Sequence, residues 1–160
     1  MTPQCALSLV GYHQKAEVST NSLARVNRIR MLPEFDQYGN LPVGIHRCSI
    51  EELVERFGHG SAEREVEAKE LMRFIEWAKL AGVRRLLVNG SYITSKLRPN
   101  DVDVVILSDS DEALPSDEEI RWPFLHVLIA ADEADFQRWA NEDFGSDRDD
   151  RRKGIVEVIL

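Results

Sequence analysis

From Ser49 onward the hydrophobic positions alternate between a helical period and strand-like runs. Ser49-Ile50-Glu51-Glu52 fits a capping box, with the Ser49 hydroxyl taking a backbone N–H and Glu52 reaching back. It predicts a short helix to about Phe57, ended by Gly58 and Gly60. Ser61 then opens a long helix to about Ala81. Val66, Ala68, Leu71, Ile75, Trp77 and Leu80 form its rough apolar stripe, and Gly82 stops it. Val83 to Val88 and Val102 to Leu107 read as strands by their β-branched and apolar content. Phe124 to Ala130 reads as a third strand. Asp132 to Asn141 reads as a helix turning Phe136 and Trp139 to the core, with Asp132 and Asp135 fitting its cap. Gly154 to Leu160, GIVEVIL, reads as a last strand. This order, with a short helix expected after Gly90, predicts an α/β (α+β) fold: a mixed sheet of about four to five strands flanked by helices.

The remaining stretches carry less pattern. Residues 1–30 show no firm periodicity and read as a poorly ordered or arm-like N-terminal segment, which leaves 31–160 as a single domain. Met31 to Ser49 holds two turn signals, Tyr38-Gly39-Asn40 and Leu41-Pro42-Val43-Gly44. It reads as an extended arm laying Leu32, Phe35 and Ile45 on the body. Ser108 to Ile120 is acidic and reads as a solvated loop running into a helix. The chain of 160 residues suffices for one domain with a real core, at 43% hydrophobic and 30% charged. No apolar run approaches the roughly 20 residues that span a bilayer, and no secretory signal is visible. Cys5 and Cys48 lack metal-binding spacing, so a reduced cytoplasmic setting is expected. Net charge is −8, which argues against a surface given over to nucleic acid but leaves room for a local basic groove. Arg25, Arg28 and Arg30 cluster early. Arg148, Arg151, Arg152 and Lys153 cluster late, diluted by Asp147, Asp149 and Asp150, and read as a solvated loop.

Asn89 to Leu107, NGSYITSKLRPNDVDVVIL, carries the chemistry. Asn89-Gly90-Ser91 turns the chain at the end of a buried strand. Glycine lets the backbone approach a phosphate, and free N–H groups of a helix starting at Ser91 would point at it. The Ser91 hydroxyl adds a donor, and Lys96 and Arg98 lie just beyond. The plain alternative is an ordinary strand-to-helix turn. Asp101 and Asp103 alternate onto one face of the next strand. Two carboxylates there repel each other and lose solvation, a penalty that a bound Mg²⁺ relieves. Their alternative place is a solvent-facing strand end.

These residues resemble the nucleotidyltransferase superfamily, whose pattern is a Gly-Ser followed some ten residues later by Asp-x-Asp. The chain is most similar to its small, poorly characterised members. Phe35, Gly39, Leu41, Pro42, Gly44, Ile45 and His46 match an arm preceding the catalytic core in those members. Thr94, Lys96 and Pro99 extend the match through Gly-Ser-x-x-Thr-x-Lys-x-x-Pro. The resemblance implies a nucleotidyltransferase-like sheet and Mg²⁺ (or Mn²⁺) held by Asp101 and Asp103. It also implies a nucleoside triphosphate held by Gly90, Ser91 and Lys96, and transfer of a nucleoside monophosphate to an RNA or protein hydroxyl. Related members act in toxin–antitoxin or phage-defence systems.

Two departures stand out. Asn89 occupies a position where many relatives have a second glycine. The third carboxylate, usually supplied from a neighbouring strand, is absent from Phe124 to Ala130, where His126 is the polar residue. His126 then reads either as the general base, with a reference pKa near 6.5, or as a core histidine. Glu157 is the other acid that could face the site. The missing acid also supports a second expectation, a degenerate module that binds a nucleotide or a protein partner. His13, His46 and His59 read as surface or turn residues. Trp77, Trp122 and Trp139 read as core, with base stacking by Trp122 or Tyr92 as the alternative. Ser95 or Thr94 could accept a nucleotide from the protein itself. Apolar patches on single strands allow an oligomer.

Overall fold

The computed structural model describes residues 32–100, 102–109 and 122–160. The segment 1–30, Asp101 and most of the acidic stretch 108–120 therefore lie outside the described residues, and with them the early arginine cluster. Among the described residues five strands form one mixed sheet in the order β1-β5-β2-β3-β4. They are β1 (Gly44–Cys48), β2 (Val83–Asn89), β3 (Val102–Ser108), β4 (Leu125–Ile129) and β5 (Gly154–Val158). β1 runs parallel to β5 and β3 parallel to β4, while β2 is antiparallel to both its neighbours. Three helices flank the sheet among the described residues: α1 (Ile50–Phe57), α2 (Ala62–Leu80) and α3 (Glu133–Arg138). α3 runs on into a π-helical turn, Trp139–Asp143.

The helix ends are set by local chemistry. Ser49 accepts the Glu52 N–H while Glu52 accepts the Ser49 N–H, so the capping box is closed at both ends. Asp132 caps α3 by accepting the Asp135 N–H at 2.8 Å, and Asp135 accepts from Ala131 at 2.9 Å. Strand alternation divides the core in two. Val88, Val102, Val104, Ile106, Val156 and Val158 face α1 and α2. Leu87, Val105, Leu107 and Ile155 face Phe136, Ala140 and Phe144 on the other side.

Four sequence expectations change. Gly44–Cys48 is not the end of an extended arm but an edge strand paired with β5, and Ile45 on it is 36% exposed rather than packed inward. The buried face of α2 is Arg64, Glu67, Ala68, Glu70, Leu71, Phe74, Ile75 and Ala78, which leaves Val66 and Leu80 outside it. Arg64 and Glu70 misled the periodicity, because their polar ends bond to neighbouring loops instead of solvent. No helix follows Gly90: residues 91–99 are turns and bends, closed by the Thr94 N–H on the Ser91 carbonyl at 3.3 Å. Trp122 and Tyr92 are not available for base stacking. Tyr92 is fully buried against Phe57, and Trp122 packs edge-on to Phe74 at 5.3 Å.

The arm that precedes the core has a structural account. Phe35 packs on Phe57, Leu41 is buried, and the Gly39 carbonyl accepts the Ser95 N–H at 2.8 Å. His46 donates to the Pro42 carbonyl at 2.7 Å, and the Leu41 carbonyl accepts the N–H of Gly154 at the start of β5. A side chain at Gly154 would run into this Pro42–His46 corner, so the arm and β5 fix each other.

Candidate functional site

The site forms where β2 ends and β3 begins. Asn89, the last residue of β2, stands opposite Asp103 on β3, and Asp103 stands opposite His126 on β4. These three residues share the face of Leu87, Val105 and Ile155. Gly90 follows with φ +81°, the left-handed region that glycine enters without strain. A Cβ on Gly90 would lie 2.5 Å from Asp103 Oδ2, so the glycine is needed on two counts: its backbone angle and the room it leaves for the carboxylate. The two halves of the sequence pattern, Gly-Ser and Asp-x-Asp, meet at this contact.

The other Asp103 oxygen faces His126, whose Nδ1 lies 3.2 Å from Oδ1. With Asp103 ionised, Nδ1–H donates and Nε2 is left as an acceptor. The histidine side chain is 63% exposed, so it is an open residue at the edge strand rather than a core histidine. Ser91 is half-buried, and its hydroxyl accepts the Asn100 N–H at 3.3 Å, tying the turn to the approach of β3. Lys96 is exposed.

The loop between Gly90 and β3 is held by Arg64, which is not among the stripe residues read for α2. Arg64 is 5% exposed, and its guanidinium donates to the carbonyls of Phe57, Tyr92, Thr94 and Lys96 at 2.5–3.1 Å. Burial pulls its pKa down from the ordinary arginine value. Glu70, also on the buried face of α2, accepts the Phe124 N–H at 2.6 Å and steadies the entry to β4.

Glu157 does not reach the Asp103 carboxylate. It lies opposite Leu87, accepts from Arg85 Nε at 2.8 Å and pairs with Arg47 at 3.6 Å. Lys153 is the residue that sequence reasoning missed. Read as part of a solvated basic run, it is instead only 7% exposed, with Nζ 3.5 Å from the Gly90 carbonyl. Arg151, two residues earlier, does belong to the surface, bonded to Asp149 at 2.6 Å.

As donors for a divalent cation the described residues offer one carboxylate, Asp103, and one imidazole, His126. A set with one hard and one borderline donor suits Mn²⁺ or Zn²⁺ as well as Mg²⁺. Among the described residues no group of three or more His, Cys, Asp or Glu side chains is placed to hold a metal ion. Asp101, the second carboxylate of the pattern, lies outside them. An open apolar groove of about 290 Å³ lies beside the starts of β3 and β4, lined by Ala62, Val66, Pro99, Asn100 and Phe124 among others.

The fold and this juxtaposition define the chain as an α+β protein with a Gly-Ser turn seated on a strand carboxylate. Residues 33–159 match a family described as a family of unknown function, DUF6932, and the chain belongs to it. No curated protein and no solved structure matches the chain. No helix among the described residues is long and apolar enough to cross a membrane.

Proposed function

We propose that the protein is a metal-dependent nucleotidyltransferase. It moves a nucleoside monophosphate from a nucleoside triphosphate to an RNA or protein hydroxyl and releases pyrophosphate, in a toxin–antitoxin or defence setting. The observation that supports this reading is the seating of the Asp103 carboxylate against Gly90: a glycine turn, open to close approach by a phosphate without the helix N-terminus the sequence led one to expect, lies beside a carboxylate suited to a cation. Gly90 and Ser91 receive the phosphates. Asp103, together with Asp101, would hold a divalent cation, which supplies charge stabilisation at the transferring phosphoryl group when bound. His126, its Nδ1 held by Asp103, presents Nε2 as the base for the acceptor hydroxyl. Phe124, 41% exposed in the apolar groove, is an aromatic face open to a base, the role that buried Tyr92 and Trp122 do not fill.

The test is pyrophosphate release from each nucleoside triphosphate with Mg²⁺ or Mn²⁺, with and without total cellular RNA. Asp103→Ala is expected to abolish release without unfolding the protein. Equal release by the variant refutes the reading. A second reading is a module that binds nucleotide or a protein partner without chemistry. It is favoured by one observation: the β4 position beside Asp103 carries His126 rather than a third carboxylate. It predicts nucleotide binding with no pyrophosphate under any condition.

A further inference from the structure

Lys153 sits in an environment that the polar groups around it do not complete. An ammonium has three donors. In a side chain that is 7% exposed, they meet one long contact, 3.5 Å to the Gly90 carbonyl. Buried donors are normally satisfied, and a buried charge left short of partners is costly unless something else occupies the site. The backbone around it is well fixed: the Lys153 N–H donates to Gly145 at 2.9 Å, and the next residue, Gly154, donates to Leu41. The Asp147 turn before it is closed by the Asp149 and Arg151 N–H groups on the Asp147 carboxylate. The lysine is therefore directed inward by the frame of β5 rather than by a flexible loop.

A second polar group, on the residue before Gly90, is also incomplete. Asn89 is 5% exposed, and its Oδ1 is buried without a hydrogen-bond partner. A buried ammonium short of acceptors thus lies against the Gly90 carbonyl, and a buried amide oxygen short of a donor is carried by the residue before Gly90. Asp103 and Asp147 lie within electrostatic reach of the ammonium and favour its charged form, against the burial that lowers its pKa.

We propose that Lys153 is the phosphate-binding cation of this site, contacting a phosphoryl oxygen of the substrate at the Gly90–Ser91 turn. The sequence pattern gave that role to Lys96, which lies exposed on the far stretch of the loop. A phosphoryl oxygen accepts from the ammonium, and a hydroxyl or bound water of the same ligand donates to Asn89 Oδ1. The ammonium is then satisfied by a phosphoryl oxygen of a phosphate ester or anhydride, and Asn89 Oδ1 by a water that such a ligand brings. In the absence of ligand, Lys153 also balances the charge of Asp103, so the carboxylate can be seated in a covered position. The assignment rests on the nucleotidyl-transfer reading and deepens it.

The experiment is calorimetric titration of the full chain with inorganic tripolyphosphate and with each nucleoside triphosphate in Mn²⁺, for the wild type, Lys153→Met, Lys153→Arg and Lys96→Met. Lys153→Met is expected to weaken the binding of both probes at least tenfold, Lys153→Arg less, and Lys96→Met less than twofold. Wild-type binding that Lys153→Met leaves intact overturns the assignment while the transferase reading stands. No binding of any probe by the wild type overturns both. Should Lys153→Met fail to fold, the wild type itself gives the answer. The chain has five lysines, so the Nζ resonance of Lys153 can be assigned in lysine-labelled protein. A saturable shift of that resonance with tripolyphosphate supports the contact, and an unmoved resonance under saturating probe refutes it.

Discussion

Gly90 shows how much one missing atom can decide. Its φ of +81° and the 2.5 Å from a would-be Cβ to Asp103 Oδ2 make Gly90→Ala strained in the backbone and crowded at the carboxylate. The variant is expected to lose about 2 kcal/mol of stability, read by urea unfolding, and to lose pyrophosphate release by more than that destabilisation explains. Glu157 makes the opposite case. It is 6% exposed but committed to Arg85 and Arg47. Glu157→Gln is expected to keep pyrophosphate release while costing roughly 1–3 kcal/mol, because Arg85 loses a charge-assisted partner. A Glu157→Gln protein that is stable yet inactive would put Glu157 back in the chemistry. At this scale Gly90, Ser91 and Asp103 were legible because they stand close together in one stretch. Lys153 was not, because a lysine following two arginines and preceded by aspartates looks solvated until the backbone shows which way it turns.

Among the elements, α2 departs furthest from its sequence pattern, and it contributes most to holding the site. Its inward face carries Arg64, Glu67 and Glu70, so its apolar periodicity is weak and the stripe read from the sequence is rotated. The charged residues are inside because loops without internal structure need partners for their carbonyls and N–H groups, and side chains from a rigid helix supply them. Arg64 alone serves four carbonyls. Arg64→Met is expected to cost about 3 kcal/mol, lowering the melting temperature by roughly 6–12 °C. It should also loosen the loop from Tyr92 to Lys96, seen as faster amide exchange there. Arg64→Lys should recover only part of this, since an ammonium lacks the planar fork that reaches separate carbonyls. An Arg64→Met protein as stable as the wild type would show that the clamp is not structural. By contrast, α1 was legible to the residue, because Ser49 and Glu52 determine its start through bonds that involve only neighbours in sequence.

For the whole molecule the decisive fact is the place of β5. The fold class was readable from the alternation of helical and strand patterns, and GIVEVIL was readable as a strand. Its position between β1 and β2 was not readable, because pairings this distant in sequence, Gly44 with Gly154 and Val88 with Val156, leave no local trace. β1 itself was hidden for a related reason: Gly44–Cys48 is an edge strand with a largely exposed pattern, and it looks like an arm unless its partner is known. Among the described residues β1 has β5 as its only neighbour in the sheet, and β5 joins it to β2. A chain stopped after Lys153 is therefore expected to show no cooperative thermal transition by circular dichroism, and a sharp transition would contradict this account of the sheet. Lys153 also leads directly into β5, so the residue proposed to contact the phosphate and the strand that closes the sheet are set in place together.

That arrangement has a consequence for synthesis on the ribosome. β2 emerges early, but the strand that must lie beside it follows about 65 residues later. At 5–20 residues per second, this gap lasts on the order of 3 to 13 s. Throughout that interval β1 and β2 are nascent chain without the neighbour that joins them, presenting unpaired edges that can capture another chain. Slower translation between β2 and β5 is therefore expected to raise the aggregated share of newly made chain, measured as the soluble fraction at altered elongation rate.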